Sequence, residues 1–64
     1  MLYDMNEIRE MIRDLVCELY KQKHIFITSR KQVNMIVERI VYKLDPKNIP
    51  DIPKLKKLIE KETS

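Results

Sequence analysis

Length, composition and charge exclude several classes of protein at once. The chain has 64 residues, of which 44% are hydrophobic and 36% charged, so it is not disordered by composition and allows one domain with one small core. Glycine is absent, so we expect neither a phosphate-cradling P-loop nor a dinucleotide-binding turn, and no cofactor.

The sequence predicts a cytoplasmic location. Its longest apolar runs are far too short to span a bilayer, so we expect no contact with a membrane. Asp4 and Glu7 stand where a secretory signal would carry basic residues and an apolar core, so we expect no export. The single cysteine, Cys17, cannot form an internal disulfide, which favours a reducing compartment.

The first predicted element is an amphipathic helix over about residues 4–22. Its apolar residues recur at spacings of three and four, which is the period of a helix and not of a strand. They are Met5, Ile8, Ile12, Leu15 and Leu19. Asp4 is the predicted N-cap, and Glu7 follows it at the spacing of a capping box.

Residues 24–28 are predicted to be a connector. Their β-branched and aromatic side chains suit an extended segment that is too short to form a sheet alone. We expect Ile25, Phe26 or Ile27 to fill part of the core. The alternative is a short strand that pairs with its copy in a dimer.

The second predicted helix spans about residues 29–44. Ser29 and Gln32 match the first and last positions of a capping box. The apolar stripe that follows has helical spacing and consists of Val33, Ile36, Val37, Ile40, Val41 and Leu44.

Pro46 then ends the helix, and a proline-containing linker over residues 45–51 leads to a third helix over about residues 52–62. Asp51 is its predicted N-cap. A helix this short must pack on the first two to be stable.

Charge is distributed unevenly along the chain. Residues 1–20 carry five acidic side chains against two arginines, a net charge of −3, whereas residues 21–44 carry six basic side chains against Glu38, a net charge of +5. The simplest interpretation is that an acidic first helix attracts a basic second helix when the two pack antiparallel. The alternative is that the basic segment forms a surface for nucleic acid or an acidic partner.

Together these elements predict an all-α fold, a helical hairpin plus a short third helix, forming one domain over residues 1–64. Domains of this size rarely gain much stability without a disulfide, a metal or a partner, so we expect a homodimeric helical bundle. The candidate oligomer core consists of Ile8, Ile12, Leu15, Leu19, Val33, Ile36, Ile40 and Leu44.

A candidate partner-binding patch lies on the opposite face of the second helix. Met35 and Tyr42 are seven residues apart and share that face, with Lys31 and Arg39 beside them. Two other interpretations remain open: two scattered exposed side chains, or two side chains that the third helix covers.

We find no sequence signature of a catalytic or metal site. Cys17 and His24 are too few for a structural zinc site, and nothing supports a nucleophile pair. We therefore expect a non-enzymatic regulatory or adaptor protein that acts by protein–protein contact through its helix faces. The alternatives are a nucleic-acid-binding module that uses the basic segment and the third helix, and a small inhibitor or accessory factor from a mobile element.

Overall fold

Three helices make up the described part of the chain. The computed structural model describes residues 4–63, which form α1 (Met5–Lys21), α2 (Arg30–Lys43) and α3 (Ile52–Thr63). Because no strand occurs between residues 4 and 63, the predicted all-α class is confirmed. Each helix begins and ends within one residue of its predicted bounds.

The first helix ends in a conformation that normally calls for glycine. The His24 N–H donates to the Leu19 carbonyl at 2.9 Å, and the Lys23 N–H donates to the Tyr20 carbonyl at 3.0 Å. This pair of bonds is the Schellman motif, which places the residue after the C-cap in the left-handed region. Lys23 occupies that position with φ 62°, so a residue with a Cβ adopts a conformation that it disfavours.

Replacing Lys23 by glycine is therefore expected to stabilise the chain by about 1 kcal/mol, because glycine adopts this conformation without a Cβ clash. Urea denaturation measures the change. Lys23→Ala is the matched control, since it removes the same charge but keeps the Cβ, and we expect no comparable gain from it. Equal effects of the two variants would show that the charge matters and the backbone conformation does not.

The second helix begins with a displaced capping box. The Ser29 hydroxyl oxygen accepts a hydrogen bond from the Gln32 N–H at 3.3 Å, as predicted. The Gln32 side-chain oxygen, however, accepts bonds from the Thr28 N–H at 2.7 Å and the Thr28 hydroxyl at 2.8 Å. In a standard capping box the Gln32 side chain would accept from the N–H of the N-cap residue, Ser29. Here it accepts from Thr28, one residue earlier, and this contact fixes the end of the connector to the first turn of α2.

Asp45 and Asp51 organise the linker between α2 and α3. The Asp45 carbonyl accepts a bond from the Asn48 N–H at 2.9 Å, and its carboxylate accepts one from the Lys47 N–H at 3.0 Å, which closes a turn around Pro46. The Asp51 carboxylate accepts a bond from the Lys54 N–H at 3.2 Å and so caps α3.

All three helices and the connector contribute to one apolar core. Among residues 4–63 the buried side chains are all apolar, so no buried charge has to be compensated there. The core residues are Ile8, Ile12, Leu15, Val16, Leu19, Ile25, Ile36, Val37, Ile40, Val41, Leu55 and Ile59.

The connector fills the core only in part. Ile25 is buried and Ile27 half-buried, but Phe26 is 75% exposed. Residues 24–28 form no strand within the single chain, in agreement with the predicted connector, and pairing of this segment with a second copy stays a prediction.

An ion pair between α1 and α2 has the opposite polarity to the one expected from net charge. Arg9 of α1 donates to Glu38 of α2 at 2.9 Å, and Arg13 donates to the Asn34 side chain at 3.1 Å. Since a later residue of α1 meets an earlier residue of α2, the two helices run in opposite directions. An acidic side chain of α1 pairs with α3 instead, because the Glu18 carboxylate lies 3.8 Å from the Lys56 ammonium.

Glu62 connects the last turns of α3 to α2. Its carboxylate accepts a hydrogen bond from Lys43 and lies 3.9 Å from the Arg39 guanidinium. The Lys43 hydrogen bond, together with the nearby positive charges, lowers the pKa of Glu62 below its ordinary value of 4.5, although burial opposes the shift. This pairing therefore stabilises the folded chain above the ordinary pKa, and the contribution disappears as the pH falls through the lowered one.

Candidate interaction surfaces

The predicted partner-binding residues lie together on the solvent side of α2. We call Lys31, Met35, Arg39 and Tyr42 the α2 outer face; all four are exposed. Met35 is 50% exposed and Tyr42 is 92% exposed, so the interpretation in which α3 covers them is wrong. The third helix instead packs on the side of α2 that carries Lys43, through Glu62.

An open groove borders this face beside Tyr42. It has a volume of about 570 Å³, and Met5 and Val41 supply apolar side chains to it. Arg9 and Glu38, which form an ion pair, lie along the same groove. The α2 outer face thus combines an exposed aromatic ring, a thioether and two positive charges, and the neighbouring Glu38 supplies a negative one.

The residues predicted to form an oligomer core serve the chain's own core instead. Ile8, Ile12, Leu15, Leu19, Ile36 and Ile40 are each 6% exposed or less within a single chain. Val33 and Leu44 are half-buried and pack against the same core. A second copy cannot reach the six buried residues without opening the helices, so any association of folded chains has to use other side chains.

A second surface, which the sequence reasoning missed, lies where the connector joins α1 and α2. Tyr20 is 49% exposed and Phe26 75% exposed. Both line one groove of about 710 Å³, and Tyr20 also lines a neighbouring groove of about 670 Å³. We call this region the connector end. The signal that could have revealed it is an aromatic residue among basic ones in residues 20–30.

The charges at the connector end have mostly one sign. Over the described part of the chain, the two grooves are lined by four Lys or Arg side chains, one histidine and one acidic residue. They are Arg13, Lys21, Lys23, Arg30, His24 and Glu60. A groove near the start of α1 has the opposite character, because its charged residues are Glu7 and Asp51.

The titratable side chains form no metal-binding cluster within residues 4–63. No group of three or more His, Cys, Asp or Glu side chains there is placed to hold a metal ion. Cys17 is exposed, and it lines a different groove from His24. The structure therefore does not assemble these two residues into one site.

Comparison with known proteins gives no family assignment. No protein-family model matches the chain, and no curated protein or solved structure gives a significant match. None of the helices in residues 4–63 has the length and apolar character needed to cross a membrane.

Proposed function

We propose that this chain is a non-enzymatic regulatory or adaptor protein of the cytoplasm, and that it acts by protein–protein contact through the α2 outer face. The observation that carries the proposal is the exposure of Tyr42, which is 92%, next to a half-exposed Met35. Tyrosine, methionine and arginine are enriched at protein interfaces, where a rigid ring loses little conformational freedom on binding.

A second copy of the chain is the partner that this face fits best. We place a two-fold axis between Glu38 and Arg39, with the two copies of α2 running antiparallel. Each Met35 then lies opposite Tyr42 of the other copy, a favourable contact between sulfur and an aromatic ring.

The same register also pairs opposite charges. Each Glu38 lies opposite Arg39 of the other copy, so the face is complementary to itself in both apolar and charged contacts. The intrachain partners of these two residues, Arg9 on α1 and Glu62 on α3, lie on the two flanks of α2. The homodimer is therefore proposed to form by contact of folded chains rather than by a shared core.

Sedimentation equilibrium across micromolar concentrations tests this interface. We expect the wild-type chain to show a concentration-dependent dimer mass. The double variant with Met35→Asp and Tyr42→Asp is expected to show the monomer mass with unchanged helicity, because four carboxylates would meet in one interface. Phe26→Asp is the control, since it replaces an exposed aromatic side chain outside the α2 outer face by a carboxylate. We expect it to leave the dimer intact. A wild-type chain that stays monomeric throughout, or a double variant that dimerises as well as wild type, would contradict the proposal.

A further inference from the structure

We propose that the connector end is a binding platform for single-stranded nucleic acid. The proposal rests on a juxtaposition: two exposed aromatic rings, Tyr20 and Phe26, line one groove together with Lys21 and Lys23. It goes beyond the contact proposed for the α2 outer face, because it concerns a different surface and a different class of partner.

The aromatic rings are the first part of the argument. Phe26 lies in the segment between α1 and α2, and three-quarters of its surface is accessible to solvent, although the neighbouring Ile25 is buried. Burial of Ile25 anchors this segment to the core and keeps Phe26 outside it. A ring held in this way offers its face to a planar base, and stacking on such rings is how single-stranded nucleic acid is bound without sequence preference.

The cations are the second part. Lys21 and Lys23 line the same groove as the two rings, and Arg13 and Arg30 line the groove on the other side of Tyr20. Phosphates of a strand whose bases stack on the rings can therefore meet positive side chains on either side of Tyr20. Glu60 is the acidic residue of this region, and it lies toward the end of α3.

The geometry favours a single strand over a duplex. Base faces are accessible to aromatic side chains when the bases are unpaired, whereas a duplex keeps them stacked on one another. The cations of the connector end come from α1, the start of α2 and the segment between them, so they do not form the continuous helix face that enters a major groove. We therefore expect weak binding without sequence preference.

Fluorescence anisotropy with labelled oligonucleotides of about ten nucleotides, at low salt, tests the proposal. The probes are oligothymidylate, an oligouridylate of the same length and a DNA duplex. We expect both single strands to bind more tightly than the duplex. Phe26→Ser is expected to weaken binding about 5–100-fold through the loss of one stacked base, whereas Phe26→Tyr retains a ring and is expected to bind like wild type.

The charge contribution is tested with a pair of variants that change net charge equally. Lys23→Glu is expected to weaken binding and to reduce the salt dependence by about 0.7 in logarithmic slope for each lost phosphate contact. Lys47→Glu is expected to bind like wild type. Lys47 is exposed in the turn after α2, at the opposite end of that helix from the connector. Circular dichroism establishes that each variant is folded.

Three results would overturn the proposal. The first is no binding of the single strands at low salt by the folded wild-type chain. The second is equal affinity of wild type and Phe26→Ser, which would reduce the site to a general positive field. The third is displacement of the oligonucleotide by an equal charge concentration of polyglutamate, which would assign the surface to acidic proteins.

Discussion

Replacing Ile40 by aspartate is expected to unfold the chain. Ile40 is fully buried where α2 faces the core, and shortening a buried isoleucine to alanine alone typically costs about 2–5 kcal/mol. A carboxylate at this position adds the penalty of an unpaired buried charge. Since domains of this size rarely exceed about 3–5 kcal/mol of net stability, far-ultraviolet circular dichroism is expected to show a loss of most helical signal.

Tyr42→Asp is the matched control for this experiment. It introduces the same residue two positions further along the same helix, but at a side chain that is 92% exposed. We expect Tyr42→Asp to keep wild-type helicity in dilute solution, where association does not contribute. Retained helicity in Ile40→Asp would mean that α2 presents a different face to the core.

The second large effect is expected from Leu55→Ala in α3. Leu55 is fully buried and, together with Ile59, is one of the two side chains that α3 buries completely. Its truncation is expected to destabilise the packing of α3 by about 2–5 kcal/mol. A helix of 12 residues is marginal alone, so α3 is expected to detach and lose its helical structure.

Amide hydrogen exchange followed by NMR measures this effect residue by residue. In Leu55→Ala we expect protection of the amides to disappear in residues 52–63 first. Ile52→Ala is the matched control, because it truncates a half-exposed isoleucine of the same helix, and we expect it to change stability by less than about 1 kcal/mol. Equal losses in the two variants would contradict the packing described for α3.

Local sequence signals were sufficient to predict the helices and their ends. Ser29 and Asp51 cap their helices through bonds to residues three positions ahead, and such contacts depend on the nearest neighbours in the chain alone. The apolar stripes likewise identify which side of α1 and α2 is buried, because periodicity fixes the buried face of a helix irrespective of its partner. Met35 and Tyr42 follow from the same argument, as residues of the face opposite the stripe.

Features that depend on how the helices are arranged in space could not be read in this way. Net charge per helix predicted attraction between an acidic α1 and a basic α2, yet Arg9 pairs with Glu38, because the side of each helix on which a charge lies decides its partner. The exposure of Phe26 depends on which connector residue reaches the core, and Ile25 takes that position. The left-handed backbone conformation of Lys23 could not be predicted, because the residue that usually signals it, glycine, is absent from the chain.

A charge-exchange cycle at the α2 outer face tests the central claim most directly. In the proposed two-fold register Glu38 faces Arg39 of the other copy, so Glu38→Arg or Arg39→Glu alone places like charges opposite each other twice in the dimer. Sedimentation equilibrium is expected to show that each single variant is shifted toward monomer and that the double variant recovers dimerisation. Failure of the double variant to recover it, while all the variants remain helical, would contradict the account.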